Sequence, residues 1–230
     1  MELSPNPGKN LIIEIDGKKY ARYPIKTHLI TPKDNIVDVV EKYTKKYLEK
    51  NDIVFIGEKS VAISQGRVFE IDKVKPGKLA YFLVRFVTKS PYGIGLGSPQ
   101  TMQLAIEEVG SLRIIIAALI AGIFKIFGIK GVFYKIAGPR VKAIDGAVDY
   151  AIPPYNRYVK KAPLNPNKIA QNISDKIGVK VAIVDACDLG VWIVGKSKGV
   201  DENLIIRALK DNPLGQTNEQ TPIGILREVI

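Results

Sequence analysis

Two pairs of aspartates are the residues in this sequence best suited to chemistry. Asp185 closes the apolar run VAIVD, and Asp188 follows three residues later in a turn that ends at Gly190. In open α/β sheets ligands gather outside the carboxyl ends of strands, and carboxylates placed there suit a hard divalent cation. A plain strand-end turn is the competing reading, since Asp is a routine turn former. Asp145 and Asp149 stand in AIDGAVDY and are the only acids among residues 112–161. Their isolation points either to a shared cation or to ion pairs with Arg140 or Lys142. A third candidate is TKSPYGIGLGSPQ, where Gly93, Gly95 and Gly97 alternate ahead of a helix start at Ser98-Pro99. Amides freed by Gly beside a helix N-terminus suit phosphate or carboxylate. A tight loop packed on the core would use the same glycines. The stretch is neither a Walker A sequence nor a dinucleotide fingerprint, because the Gly-Lys-Ser/Thr ending and the third spaced Gly are absent.

The rarer residues narrow the chemistry. With one Cys and one His, disulfide frameworks, multi-Cys/His zinc sites and HExxH proteases are excluded, so a metal must bind oxygen. His28 lacks a nearby Ser, Cys or carboxylate pattern and reads as structural. Cys187 has no motif partner, and a Ser or Cys hydrolase is disfavoured.

Composition fits a folded globular protein: 230 residues, 46% apolar and 25% charged, with a formal charge of +11. A basic chain favours an anionic ligand, nucleic acid or an anionic membrane surface. Residues 112–161 hold 9 basic and 2 acidic side chains and so supply +7 of the total. Nucleic acid is the least favoured partner, because the aromatics do not alternate with the basic residues as a stacking surface requires. The N-terminus carries no signal-peptide pattern, which makes the cytoplasm the expected location. Residues 114–124 are unbroken apolar and the run continues past Lys125 to Ile129. That is short of the ~20 residues needed to cross a bilayer. A buried helix or oligomer contact is the expected role. The flanking basic residues keep a membrane-surface contact as the alternative.

The elements that must position these groups alternate. Residues 11–15 and 19–30 read as strands about an Asp16-Gly17 hairpin turn. A helix follows with Ile36, Val39, Val40, Tyr43 and Tyr47 at helical spacing. Residues 53–57 form a short buried strand, the turn-rich EKSVAISQGR comes next, and a helix spans residues 99–109 with Ser98 as cap and Gly110 at its end. After the Pro-rich connector, Asn165-Pro166 opens a helix that Gly178 stops. Strands at VKVAIVD and VWIVG, a helix over residues 201–209 and a strand over residues 221–226 complete an α/β or α+β pattern. Composition divides the chain into an N-terminal lobe 1–111, an apolar and basic middle 112–161 and a C-terminal lobe 162–230, or one continuous domain 8–230.

Several motifs, in order, resemble the coenzyme F-420-0:gamma-glutamyl ligase family, and more closely its divergent ligase-like branch. They are THLI with the following TPKDNIVDVV, then DIVFIGEKSVAISQGR, DGAVD, AIVDACDLG and finally DNPLGQTNEQTPIGILR. The resemblance implies a two-lobed fold with mixed sheets, an intertwined homodimer, and GTP- and metal-dependent amide formation. In that reaction the nucleotide phosphorylates a small carboxylate acceptor and the amine of L-glutamate displaces phosphate. It implies Mg2+ or Mn2+ held by Asp149, Asp185 and Gln216, beside which Asp145 and Asp188 stand as the further candidate acids of the residue reading above. The nucleotide would lie against Thr27, His28, Leu29, Ile30, Glu58 and Lys59 and a late loop containing Gly215, Thr217, Asn218 and Glu219. A family member that binds a nucleotide or cofactor without ligation, at a membrane surface, is the alternative. Three positions depart from the family pattern. Ile63 replaces a basic residue, with Lys59 or Arg67 as substitutes, Ile152 replaces a nucleotide-contacting Asn, and Ala186 replaces a Thr.

Overall fold

The computed structural model describes residues 3–87, 94–129, 131–187, 190–215 and 217–229. In chain order the elements are β1 (Ile12–Ile15), β2 (Lys18–Ile25), α1 (Ile36–Thr44), β3 (Ile53–Gly57), α2 (Glu58–Ser64), β4 (Val68–Glu70), α3 (Lys78–Leu83), α4 (Pro99–Val109) and α5 (Ser111–Ile126). They continue with α6 (Val132–Ala137), α7 (Pro139–Lys142), β5 (Tyr158–Lys160), α8 (Pro166–Ile177), β6 (Lys180–Cys187), β7 (Gly190–Lys196), α9 (Glu202–Ala208) and β8 (Ile223–Val229). Two compact units result, one of residues 1–66 with 163–230 and the other of residues 67–162. The composition boundary near residue 162 coincides with the chain's return to the first unit, whereas the one at residue 111 falls between α4 and α5 inside the second.

The first unit is built on a six-stranded mixed sheet of order β1-β2-β8-β3-β6-β7, in which β3 and β6 run parallel and the other neighbours antiparallel. The β1-β2 hairpin turns on Asp16 and Gly17, both at positive φ (52° and 75°), as a two-residue turn between twisted strands requires. Central strands here are apolar without alternation because both sheet faces are covered. Ile53 and Phe55 of β3 join Ala182 and Val184 of β6 and Ile205 and Ala208 of α9 in one core cluster. The intervening Val54, Ile56, Val181 and Ile183 are equally buried, on the face that carries α1, α2 and α8. Gly224 in β8 is needed for packing, since a Cβ there would run into the ring of Phe55 on the neighbouring strand. The late arginine of the TPIGILR motif is structural: Arg227 donates bidentately to the buried Asp52 at 2.8 Å on both oxygens and to the Tyr47 carbonyl at 2.6 Å.

The expectation of a turn-rich EKSVAISQGR is overturned, because Glu58–Ser64 is helix α2. Its Val61, Ala62 and Ile63 are buried, and that burial favours a helix over the turns suggested by Ser, Gln and Gly.

The second unit packs α3 to α7 with the β4-β5 pair about Leu83, Leu96, Met102, Leu104, Ile114 and Val141. α4 starts as expected at Pro99, with a capping box in which the Ser98 Oγ accepts from Thr101 N at 3.1 Å. The expectation that the apolar run forms a buried helix holds only for its first turns. Of α5, only Ile114 and Ala117 are buried. Among the described residues no single helix is long and apolar enough to cross a membrane.

Candidate functional site

One edge of the six-stranded sheet collects the polar groups of the first unit. Strands β3 and β6 end there, β2 ends there, and β8 starts there, because Ile25 of β2 pairs with Ile223 of β8 and Gly57 of β3 pairs with Val184 of β6. The chain leaving β2 is Lys26-Thr27-His28-Leu29-Ile30, the chain leaving β3 is Glu58-Lys59, and Asp185 is the next residue of β6 after Val184. The register therefore sets Glu58, the first residue of α2, and Asp185, in β6, each one position beyond the directly paired Gly57 and Val184.

The loop before β8 is stitched to this edge by backbone and side-chain bonds. Thr27 N donates to Gln220 O at 3.1 Å, and Gln220 Nε2 donates to Thr27 O at 2.7 Å. Gly57 N donates to Pro222 O at 2.9 Å. Within the loop, Thr221 Oγ1 donates to Leu214 O at 2.8 Å, and Asn212 Nδ2 donates to Gly215 O at 3.1 Å. Gly215 has φ +74°, a conformation that favours glycine, and the carboxylate of Glu219 packs where its Cβ would stand. That carboxylate is already engaged, accepting from Thr217 N at 2.8 Å and Thr217 Oγ1 at 2.9 Å. Asn218 is exposed beside it.

Burial separates the roles at this edge. Thr27 and Glu58 are 5% and 4% exposed, so their polar atoms face neighbouring groups and not bulk water. Lys59 and Asp185 are half-buried, and Lys26 is exposed. Two carboxylates, two lysines and the amides of a glycine-containing loop are the donors and acceptors that a polyanion and a hard cation require together. Lys26 escapes sequence reasoning because a lysine at a strand end is ordinary. Gln220 escapes it too, and its only sequence signal is membership of the TNEQTP stretch.

His28 is held by residues that its immediate neighbourhood does not announce. Its Nε2 lies 3.0 Å from Asp34 Oδ1, and its Nδ1 lies 3.0 Å from the Tyr43 hydroxyl. Since an ionised carboxylate can only accept, Nε2 donates to Asp34, and the Tyr43 hydroxyl partners Nδ1. Asp34 also accepts from Thr31 N at 2.7 Å and Thr31 Oγ1 at 2.8 Å. The Thr31 amide holds the Asp34 carboxyl below the ordinary aspartate range, against the opposing effect of partial burial, with the Thr31 hydroxyl and His28 adding to it. Both ring nitrogens are thus occupied, and the imidazole fixes the turn ahead of α1.

Asp145 and Asp149 belong to the second unit. Asp145 forms an isolated antiparallel bridge with Lys160, and its Oδ1 accepts from Gly146 N at 2.8 Å. Asp149 is exposed on a turn. Arg140 is paired with Glu108 at 3.2 Å, and Arg67 donates to the same carboxylate at 2.7 Å. Arg67 is therefore committed within its own unit. Ile63 itself is a core residue, 5% exposed. The GIGLGSP loop packs tightly, with Leu96 buried and Ile94 against Gly146. Gly93, Asp188 and Gln216 lie outside the described residues. Among the described residues, no group of three or more His, Cys, Asp or Glu comes together as a metal cage.

A curated relative from Methanocaldococcus jannaschii, an uncharacterised protein, is 29% identical over 174 residues, or 71% of this chain and 56% of the relative. The chain spans just over half the length of that relative. A family model described as F420-0:Gamma-glutamyl ligase matches residues 24–198. The match takes in the Thr27 segment, Glu58-Lys59, Asp149 and Asp185, while the 212–222 loop lies beyond it and is joined to the edge by its hydrogen bonds alone. With more than half of the sequence matched, this chain belongs to the F420-0:Gamma-glutamyl ligase family.

Proposed function

We propose that the protein is an NTP- and divalent-metal-dependent amide ligase, joining L-glutamate or a similar amine to a small carboxylate acceptor through an acyl phosphate. The observation that carries this reading is the convergence of Thr27, Glu58, Lys59, Asp185 and the glycine loop at one sheet edge in a chain of a ligase family. Phosphoryl transfer to a carboxylate needs no covalent nucleophile. It needs positioning and positive charge for the oxygens that gain negative charge. Lys59 and Lys26 would supply cationic donors, and the amides of the 212–222 loop would hold phosphate oxygens. Asp185 would help to hold Mg2+ or Mn2+. The adjacent Glu58 and Asp185 fit such a hard cation as oxygen donors, and the cation's contribution when bound is to offset phosphate charge. The amine nitrogen then attacks the acyl phosphate carbon, the C–N bond forms as the C–O bond to phosphate breaks, and inorganic phosphate leaves. A homodimer accompanies this reading through the family.

A second reading, nucleotide or cofactor binding without ligation, is favoured by one observation. Ile63 is buried in the core where the family pattern places a basic residue. Thermal unfolding with GTP or ATP, each with and without Mg2+ or Mn2+, tests the shared part of both readings. Ligand at a hundred times its Kd adds ~2.7 kcal/mol of stability, a rise of roughly 5–10 °C for a chain of this size. Asp185→Asn is expected to remove the metal-dependent part of that rise while leaving the unliganded midpoint unchanged. Equal GTP affinity with metal in the variant sinks the site assignment. Phosphate release that depends on glutamate and a carboxylate acceptor separates ligation from binding alone.

A further inference from the structure

The α5-α6 hairpin of the second unit leaves an apolar surface that the ligase reading does not use. Leu112, Ile116, Leu119, Ile123 and Ile126 are all exposed, from 42% to 83%, and their 4-3-4-3 spacing places them on one face of α5. Past residue 121 the character changes: residues 122–129 are exposed on every side, and Lys125 is the only polar side chain among them. A protein partner, or a second copy, would cover one face of a helix. A tip apolar all round matches a medium that surrounds it.

The backbone at the tip is closed on itself. Ile129 N donates to Phe124 O at 3.0 Å, and Gly128 N donates to Lys125 O at 3.0 Å, with Gly128 at φ +75°. This pairing satisfies the Phe124 and Lys125 carbonyls without water, which lowers the cost of contact with lipid. Charge follows the same pattern. Residues 109–144 contain no Asp or Glu and six basic residues, Arg113, Lys125, Lys130, Lys135, Arg140 and Lys142. A stretch of sequence that is basic and free of acids on both sides of the apolar tip complements anionic headgroups, with Lys125 and Lys135 exposed and Arg140 shared with Glu108. α5 by itself is too short to cross, since its 16 residues span ~24 Å, against an apolar bilayer core of ~30 Å, and its first turns are packed in the protein.

We propose that this hairpin docks the protein on the surface of a bilayer containing anionic lipids, with the tip entering the headgroup and upper acyl region. The test is co-sedimentation of the full chain with vesicles of equal parts phosphatidylcholine and phosphatidylglycerol, and with phosphatidylcholine alone. Wild type is expected to bind the mixed vesicles, with an affinity that falls as salt is raised, and to bind the neutral vesicles more weakly. The double variant Ile123→Asp with Phe127→Asp changes side chains that are 57% and 75% exposed, so its thermal midpoint should match wild type. Its vesicle affinity should fall by at least ~tenfold, from the loss of two buried apolar side chains. Wild type remaining in the supernatant overturns the proposal, and so does a variant that binds as wild type does. A lipid-free oligomer that the variant splits, with neither form binding vesicles, assigns the face to a second copy instead.

Discussion

Gln220 offers a direct measure of how the late loop is held against the candidate site. Its side-chain amide donates to Thr27 O at 2.7 Å, while its backbone carbonyl accepts from Thr27 N at 3.1 Å. Gln220→Ala removes the first bond and keeps the second. A hydrogen bond of this kind contributes ~0.5–1.5 kcal/mol net. The expected loss is about 1 kcal/mol, or roughly 2–4 °C in Tm for a chain of this length. If the loop closes over nucleotide through this tie, the same free energy appears as a roughly fivefold rise in the Kd for GTP. Gln220 also stands at φ +58°. A left-handed conformation costs a non-glycine residue ~1 kcal/mol or more, and glycine's extra freedom in the unfolded chain costs ~0.4–1 kcal/mol. Gln220→Gly should therefore equal or slightly exceed the Ala variant in stability, with the same loss of affinity. The assays are thermal unfolding without ligand and calorimetric titration with GTP and Mg2+. An Ala variant with wild-type midpoint and wild-type affinity refutes the tie. A lowered midpoint with unchanged affinity refutes the loop's contact with nucleotide and leaves the tie purely structural.

Arg227→Met is expected to destabilise by ~3–5 kcal/mol, because it removes the cationic partner of the Asp52 carboxylate, which is 1% exposed and, among the described residues, keeps only the Glu49 amide as a donor. Urea denaturation measures it, and a loss under ~1 kcal/mol would mean that Asp52 finds another donor. The Asp34 network carries a pH signature. Because the folded carboxyl is held below the ordinary range, its contribution is fully present above the unfolded value of ~3.9 and fades as pH falls through the folded value. Asp34→Asn should then cost stability at pH near ~7 and progressively less below ~3.9, so that wild-type and variant urea midpoints converge in acid. Midpoints that stay parallel to the lowest pH at which the protein folds would contradict the assignment.

Local signals in the sequence were sufficient where one element decides its own fate. The Asp16-Gly17 turn, the Ser98-Pro99 start, the Asn165-Pro166 start and the Gly178 stop all lie where their backbone chemistry puts them. They failed where burial overrides local propensity. EKSVAISQ reads as turns residue by residue, yet Val61, Ala62 and Ile63 become core only if the segment is a helix. The reverse holds for α5, whose unbroken apolar run predicts burial although only Ile114 and Ala117 are covered. Hydrophobicity states what a segment avoids and not what shields it. Sheet pairing poses the same difficulty for the site. Glu58 and Asp185 are 127 residues apart in the numbering, and neither motif shows that β3 and β6 run parallel in the register that makes them neighbours. Family motifs supplied that juxtaposition indirectly, by naming both segments as parts of one site. They could not supply Gln220, whose role follows from a left-handed backbone and a bond across the β2-β8 pairing. The groups most legible from sequence are therefore those that the motifs nominate for binding, and the least legible are those that hold these groups in place. The Gln220 variants act on that second class, where a stability change and an affinity change are expected from a single bond.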